Sequence, residues 1–270
     1  MLEKQIVINF PLSIGNFCDF VDNIICLAEK RKSSFICVAN VHMFIEAYKQ
    51  KEFLEVVNNA DVVTPDGLPL IWALNRLYRI KQERVSGMDL LPRLLDAMSK
   101  NGIAAYFYGG SPVLITNTNN YLKINYPNLK VAGLFSPPFT HKNEIADERV
   151  IEEINNSVPL IVFVILGCPK QEKWMNMMKD KVNTVMIGIG GALPVLVGLK
   201  KRAPIWMQNG GLEWLFRLSQ EPSRLFKRYW RTNILFLWIY FGELFKKHVK
   251  SFSKKIIKFA LFLRSEGRSK

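Results

Sequence analysis

Cysteine is scarce in this chain, and its spacing excludes two common uses. Cys18, Cys26, Cys37 and Cys168 are the four present, with no C-x-x-C pair and no nearby histidine set of zinc-binding pattern. Cys26 and Cys37 sit in apolar runs and read as small core residues of a reducing compartment. Cys168 has no catalytic histidine partner evident in sequence. The N-terminus, Met1-Leu2-Glu3-Lys4-Gln5-Ile6-Val7, lacks the basic region, long apolar stretch and cleavage site of a secretory signal, which argues against export. The most apolar stretch, Ile234 to Gly242, covers nine residues before Glu243. A bilayer-crossing helix needs roughly 20, so surface binding is open to this segment and spanning is not. A G-K-[ST] phosphate loop is missing, and Gly188-Ile189-Gly190 continues as Gly191-Ala192-Leu193, without the last glycine of G-x-G-x-x-G.

Acidic residues are missing from one region in particular. The last 71 residues, from Lys200, hold 17 of the 37 Lys and Arg but 4 of the 23 Asp and Glu, and so carry +13 of the +14 net charge. Charge of this kind marks a surface for an anionic partner. The charges are interleaved with Trp206, Trp214, Phe216, Leu225, Phe226, Tyr229, Trp230 and the run from Ile234 to Phe241, which suits an anionic membrane surface better than a nucleic acid. We therefore expect two parts: a core of residues 1–199 and a basic helical appendage of residues 200–270. With 49% hydrophobic and 22% charged residues, a largely disordered chain is excluded.

Short apolar runs recur through the first 190 residues: Ser34 to Ala39, Val62 to Val63, Ala104 to Tyr108, Lys130 to Leu134, Leu160 to Leu166 and Thr184 to Ile189. Apolar throughout, they read as strands buried on both faces. Helical segments alternate with them: Phe17 to Arg31, His42 to Asn58, Leu68 to Tyr78, Gly87 to Lys100, Val113 to Tyr126, Asp147 to Asn156 and Gln171 to Lys181. This order predicts a Rossmann-like, layered α/β fold with a mainly parallel sheet. Ligands of such sheets bind beyond the carboxyl ends of the strands. The loops expected there contain Asn40, Asp66, Gly109-Gly110-Ser111, Gly133, Gln171-Glu172 and Gly190-Gly191.

Several of these residues have two readings on sequence alone. The glycine loops could hold phosphates on backbone N–H groups or be tight turns. Asp66 follows a strand and a proline and precedes a glycine, so it could take a proton from an attacking hydroxyl or cap the next helix. Gln171 could bind a sugar or base edge. Glu172 could join it or be a first-turn charge favoured by the helix dipole. His42 is a catalytic candidate or, more simply, a polar rim or packing residue, and Met175, Met177 and Met178 read as core filler. No D-x-D carboxylate pair occurs to hold a metal across a diphosphate, so such a leaving group would need arginines or helix termini.

Taken in order, the loops resemble the bacterial WecG/TagA/CpsF family of glycosyltransferases. The resemblance runs from about Phe35 to Asn233 through Thr64-Pro65-Asp66-Gly67-Leu68-Pro69, Arg84-Val85-Ser86-Gly87-Met88-Asp89-Leu90, Phe107-Tyr108-Gly109-Gly110 and Phe135-Ser136-Pro137-Pro138-Phe139. It continues through Gly167-Cys168-Pro169-Lys170-Gln171-Glu172-Lys173-Trp174, Gly188-Ile189-Gly190-Gly191-Ala192 and Arg202-Ala203-Pro204-Ile205-Trp206 with Gly211-Leu212-Glu213-Trp214. It implies transfer of a sugar, with inversion, from a UDP-sugar donor to a polyprenyl-diphosphate-linked acceptor, with no metal and no cofactor. It also implies an appendage that docks on the inner face of the cytoplasmic membrane and helps complete the site. N-acetylmannosamine or its uronic acid are the leading donor sugars; glucuronic acid or glucose are the alternatives.

By position, the resemblance makes Asp66 the catalytic base, Gln171 an active-site glutamine and Asn40 an active-site asparagine. Arg84, Gly109, Gly110, Ser111, Gly133, Glu172, Gly190 and Gly191 become candidate substrate contacts. Arg217 and Arg224, with Lys227 or Arg228 in third place, become diphosphate contacts. Family members often carry Thr two residues before the asparagine, and this chain has Val38 there. A soluble homo-oligomer that differs from a membrane-bound monomer is a further expectation. The competing classes are a nucleic-acid-binding α/β protein with a basic tail and a nucleotide-dependent oxidoreductase, the latter opposed by the broken glycine fingerprint.

Overall fold

The computed structural model describes residues 2–137 and 147–266, with the helical backbone alone for Arg224 and residues 250–266. In chain order the elements begin with β1 (Lys4–Val7), β2 (Phe10–Ser13), α1 (Phe17–Glu29), β3 (Ser34–Ala39), α2 (Val41–Lys49), α3 (Lys51–Asn59), β4 (Val62–Pro65) and α4 (Leu68–Tyr78). Next come α5 (Gly87–Asn101), β5 (Ala105–Gly109), α6 (Pro112–Asn125), β6 (Val131–Phe135), α7 (Glu148–Ser157), β7 (Ile161–Ile165), α8 (Lys170–Met178), β8 (Val185–Gly188) and α9 (Ala192–Leu196). The C-terminal part is α10 (Ile205–Asn209), α11 (Glu213–Gln220) and the 45-residue α12 (Pro222–Glu266).

Six strands form one parallel sheet in the order β4-β3-β8-β7-β5-β6. The sheet is covered on both sides, which is why its strands are apolar at successive positions rather than at alternate ones. Along β3, Phe35, Cys37 and Ala39 pack with α2, α3, α4 and α8, while Ile36 and Val38 pack with α1, α5 and α9. The alternating direction of strand side chains thus feeds two separate cores from one sequence run.

Two local features depart from the expected pattern. β1 and β2 pair as an antiparallel hairpin, with Val7 opposite Phe10. Its turn residues Ile8 and Asn9 both have positive φ (51° and 67°), a conformation usually signalled by Asn-Gly or Asp-Gly and here lacking any glycine. The hairpin is tied to the sheet where the Val63 N–H donates to Ser13 Oγ at 3.0 Å. The helix expected over His42 to Asn58 is broken at Gln50, whose extended backbone (φ −125°, ψ 110°) ends α2 and starts α3.

The C-terminal helices lie against the core. Phe236 of α12 is 2% exposed and meets Phe44 of α2 edge-on, with ring centroids 5.2 Å apart. Lys247 sits 3.9 Å over the Tyr78 ring. Arg202, ahead of α10, pairs with Asp89 of α5. Among the described residues, no helix is long and apolar enough to cross a membrane.

Candidate functional site

A cavity of about 620 Å³ opens at the carboxyl ends of β4, β3, β8 and β7, with α11 and α12 forming part of its wall. Its position follows from the winding of the sheet. The chain leaves β3 for α2 on one face and leaves β8 for α9 on the other, so the two connections diverge and leave a crevice between adjacent strands. Asn40, Asp66, Arg84, Gln171, Gly190, Gly191, Arg217 and Arg228 all line it. Eight candidates from four loops and three helices therefore meet in one place.

Asp66 directly follows β4. Its backbone N–H donates to the Ala39 carbonyl at 2.9 Å, which fixes the loop beside Asn40. It does not cap α4: the residue at the cap is Gly67, and no side chain bonds the free N–H groups there. Arg84 holds Asp66 twice, donating from Nε to its carbonyl at 2.8 Å and from Nη2 to Oδ1 at 3.2 Å. Burial pushes the Asp66 carboxyl above its ordinary range, against the opposing pull of Arg84 and Arg217, and Glu213 adds to the rise.

Asn40 caps α2, its Oδ1 accepting from the N–H groups of His42 at 3.0 Å and Met43 at 3.2 Å. Gln171, in the first turn of α8, is 5% exposed and bonded at both ends of its amide. Its Oε1 accepts from Gly167 N–H at 3.1 Å, and its Nε2 donates to Glu172 Oε1 at 2.7 Å. A Cβ at Gly188 would come within 2.7 Å of that amide, so the β8 end must be glycine for the glutamine to form the cavity floor.

Glu172 lies behind Gln171 rather than in the cavity. It is fully buried, and Oε2 has no hydrogen-bond partner among the described residues. Burial pushes its carboxyl up to about 7, opposed by the hydrogen bond from Gln171. Because the folded value exceeds the ordinary 4.5, this group favours the folded state most below about pH 4.5 and loses that contribution as pH rises through about 7. Glu172→Gln stays neutral throughout. The thermal midpoint of the variant, minus that of the parent, is therefore expected to be more positive at about pH 8 than at about pH 5; an equal difference at both would contradict the buried-acid assignment.

The remaining glycine candidates lie elsewhere. Gly109, Gly110, Ser111 and Gly133 do not line this cavity. Gly109 has φ +107°, and a Cβ there would stand 2.7 Å from the Ile165 carbonyl oxygen, which gives it a packing reason of its own. Gly133, expected in a loop, is inside β6 and presses on the Tyr106 ring. Ser111 caps α6 by accepting from Leu114 N–H at 3.2 Å. The expected single rim of six loops is thus a cavity built from four, and Pro138 and Phe139 of the β6 loop lie outside the described residues.

From the appendage, Arg217 and Arg228 line the cavity, Arg217 close to Gly191 and Arg228 near His42, and the buried Arg228 Nε has no hydrogen-bond partner among the described residues. Lys227 is exposed and outside the cavity wall, so of the two candidates for third place Arg228 is the one that reaches it. The side chain of Arg224 lies outside the described residues. His42 also lines the cavity, its pKa lowered by burial and then by Arg228, with Glu46 opposing. Cys168 lines it too, but burial and Glu172 push its thiol well above the ordinary range, unfavourable for a thiolate nucleophile. A charged wall contributor that the sequence did not single out is Glu213, although it stands inside one of the motifs that carry the resemblance. Among the described residues, no three His, Cys, Asp or Glu side chains group as a metal site.

Residues 5–250 match the profile of the glycosyl transferase WecG/TagA/CpsF family. The chain belongs to this family. It is therefore a glycosyltransferase, and among similar proteins is one from Bacillus spizizenii, 31% identical over 197 residues that make up 73% of this chain and 75% of the relative. A Bacillus subtilis relative is 28% identical over 225 residues, 83% of this chain and 86% of its own length. One from Staphylococcus aureus is 29% identical over 195 residues, 71% and 74% of the two chains. All three are named N-acetylglucosaminyldiphosphoundecaprenol N-acetyl-β-D-mannosaminyltransferase.

Proposed function

We propose that this glycosyltransferase moves N-acetylmannosamine from UDP to the N-acetylglucosamine of a polyprenyl-diphosphate lipid, with inversion at the anomeric carbon. The observation that carries the reading is the opposition, within one cavity, of the Asp66 carboxylate and the guanidinium groups of Arg217 and Arg228. Asp66 takes the proton of the acceptor hydroxyl as its oxygen bonds to the anomeric carbon. The bond from that carbon to the β-phosphate oxygen breaks, and UDP leaves with the electron pair. Arg217, Arg228 and the Gly191 N–H offset the charge that develops on the diphosphate, the Gly190 N–H being taken by the Val164 carbonyl. Gln171 keeps the Gly167 and Gly188 loops at their spacing. The names of the relatives support the choice of sugar and acceptor.

The test is UDP release from a panel of UDP-sugars in the presence of liposomes carrying polyprenyl-diphosphate-linked N-acetylglucosamine. Release that requires the acceptor and is fastest with UDP-N-acetylmannosamine is the expected result; acceptor-independent release, or preference for another donor, would reject this assignment.

We also propose that residues 200–270 bring the site to an anionic membrane surface. Trp206, Trp230 and Trp238 are exposed by 66%, 63% and 73% on a segment rich in cations, a composition suited to an interface between headgroups and acyl chains. Replacing all three by serine is expected to weaken binding to phosphatidylglycerol vesicles by about tenfold or more. Added salt should weaken the parent's binding without removing its apolar part. Sedimentation with vesicles measures both, and unchanged binding of the triple variant would reject the docking role.

A further inference from the structure

Arg84 is shared by two carboxylates that approach it from different parts of the molecule. Its Nη2 stands 3.2 Å from Asp66 Oδ1 and 2.6 Å from Glu213 Oε2. Asp66 and Arg84 belong to the core, whereas Glu213 is the first residue of α11. Glu213 is 7% exposed, and its Oε1 has no hydrogen bond among the described residues, with Arg217 Nη2 3.7 Å away. Burying a carboxylate is costly unless charges and donors compensate it. Here the compensation comes from the same guanidinium that holds Asp66.

We propose that Glu213 is a positioning residue that draws the charge of Arg84 away from Asp66, so that seating of the appendage on the core sets the basicity of Asp66. The inference rests on the reading of Asp66 as the general base. With Glu213 in place, Arg84 gives its shorter bond to the appendage carboxylate. Without it, Arg84 is left to Asp66 alone, and a carboxylate held by an unshared guanidinium is a weaker base. The other charges around Asp66 act in known directions. Arg217 of α11 lowers its pKa with Arg84, Glu213 raises it, and Arg228 of α12 and His42 of α2 line the same cavity. Removing Glu213 leaves the cations unbalanced.

The test is the pH profile of UDP release by the full chain, with lipid-linked acceptor, for the parent, Glu213→Gln, Glu213→Asp and Asp66→Asn. Glu213→Gln is expected to lower the plateau rate by about tenfold and to move the acid limb down by about one pH unit. Glu213→Asp, which keeps the charge, is expected to return the limb to near the parent's position. A lower rate with an unmoved limb would make Glu213 merely structural and overturn the proposal, as would a profile identical to the parent's. If Asp66→Asn is inactive in that experiment, the base reading survives the loss of this inference; if Asp66→Asn is as active as the parent, both fall.

Discussion

Asp66→Asn is expected to fold as the parent does and to release UDP about 10²- to 10⁴-fold more slowly in the presence of acceptor. The loss is chemical. Asparagine has nearly the shape of aspartate, and its amide oxygen still accepts the hydrogen bond that Arg84 gives to Oδ1. Arg84 also keeps its bond to the Asp66 carbonyl and its contact with Glu213, so the loop between β4 and α4 keeps its main supports. Only the capacity to accept a proton near neutral pH disappears. Circular dichroism and a thermal melt establish the fold, and steady-state UDP release gives the rate. A folded variant with near-parent turnover would remove Asp66 from the base role and shift attention to His42 and Glu213, two other proton acceptors on the cavity wall.

Five strands of the sheet, β3, β4, β5, β7 and β8, were legible because each is buried on both faces, and apolar runs such as Phe35 to Ala39 or Ile161 to Ile165 have no other ready explanation. The first hairpin was not. Its turn places Ile8 and Asn9 at positive φ without a glycine, so Asn9 is the one weak turn signal where the chain reverses. The break at Gln50 was hidden for a related reason: apolar spacing continues through it, and only the packing of α3 under the sheet requires the chain to turn there. Of the site, the loops with a carboxylate or amide at a strand end were readable, since the topology sends all of them to one rim. The glycines of β5 and β6 were not separable by spacing, because a glycine needed for a carbonyl contact looks the same as one needed for a phosphate. Glu213 was illegible in a different way. It reaches Arg84 across 129 residues, and its i,i+4 relation to Arg217 reads as an ordinary solvated helix pair.

Charge reversal at Arg217 or Arg228 is the other change expected to have a large effect, lowering kcat/KM for the UDP-sugar by about 10²-fold or more. Both guanidinium groups come from the appendage, yet both line the cavity at the strand ends, Arg217 close to Gly191. The buried Arg228 Nε has no hydrogen-bond partner among the described residues, which is costly for a donor unless an anion meets it. Under the proposed mechanism, a glutamate at either position would place a negative charge where the leaving diphosphate gathers its own, and the repulsion would grow along the reaction as the bond to the sugar breaks. The effect should therefore fall on kcat as well as on KM. Lys227→Glu supplies the contrast, because Lys227 is exposed and outside the cavity wall, and with detergent-solubilised acceptor its kinetics are expected to stay within about twofold of the parent's. Equal losses at Lys227 and Arg228 would mean that the appendage acts through its general field; a loss confined to Arg217 and Arg228 would mean that it supplies two particular groups to the reaction.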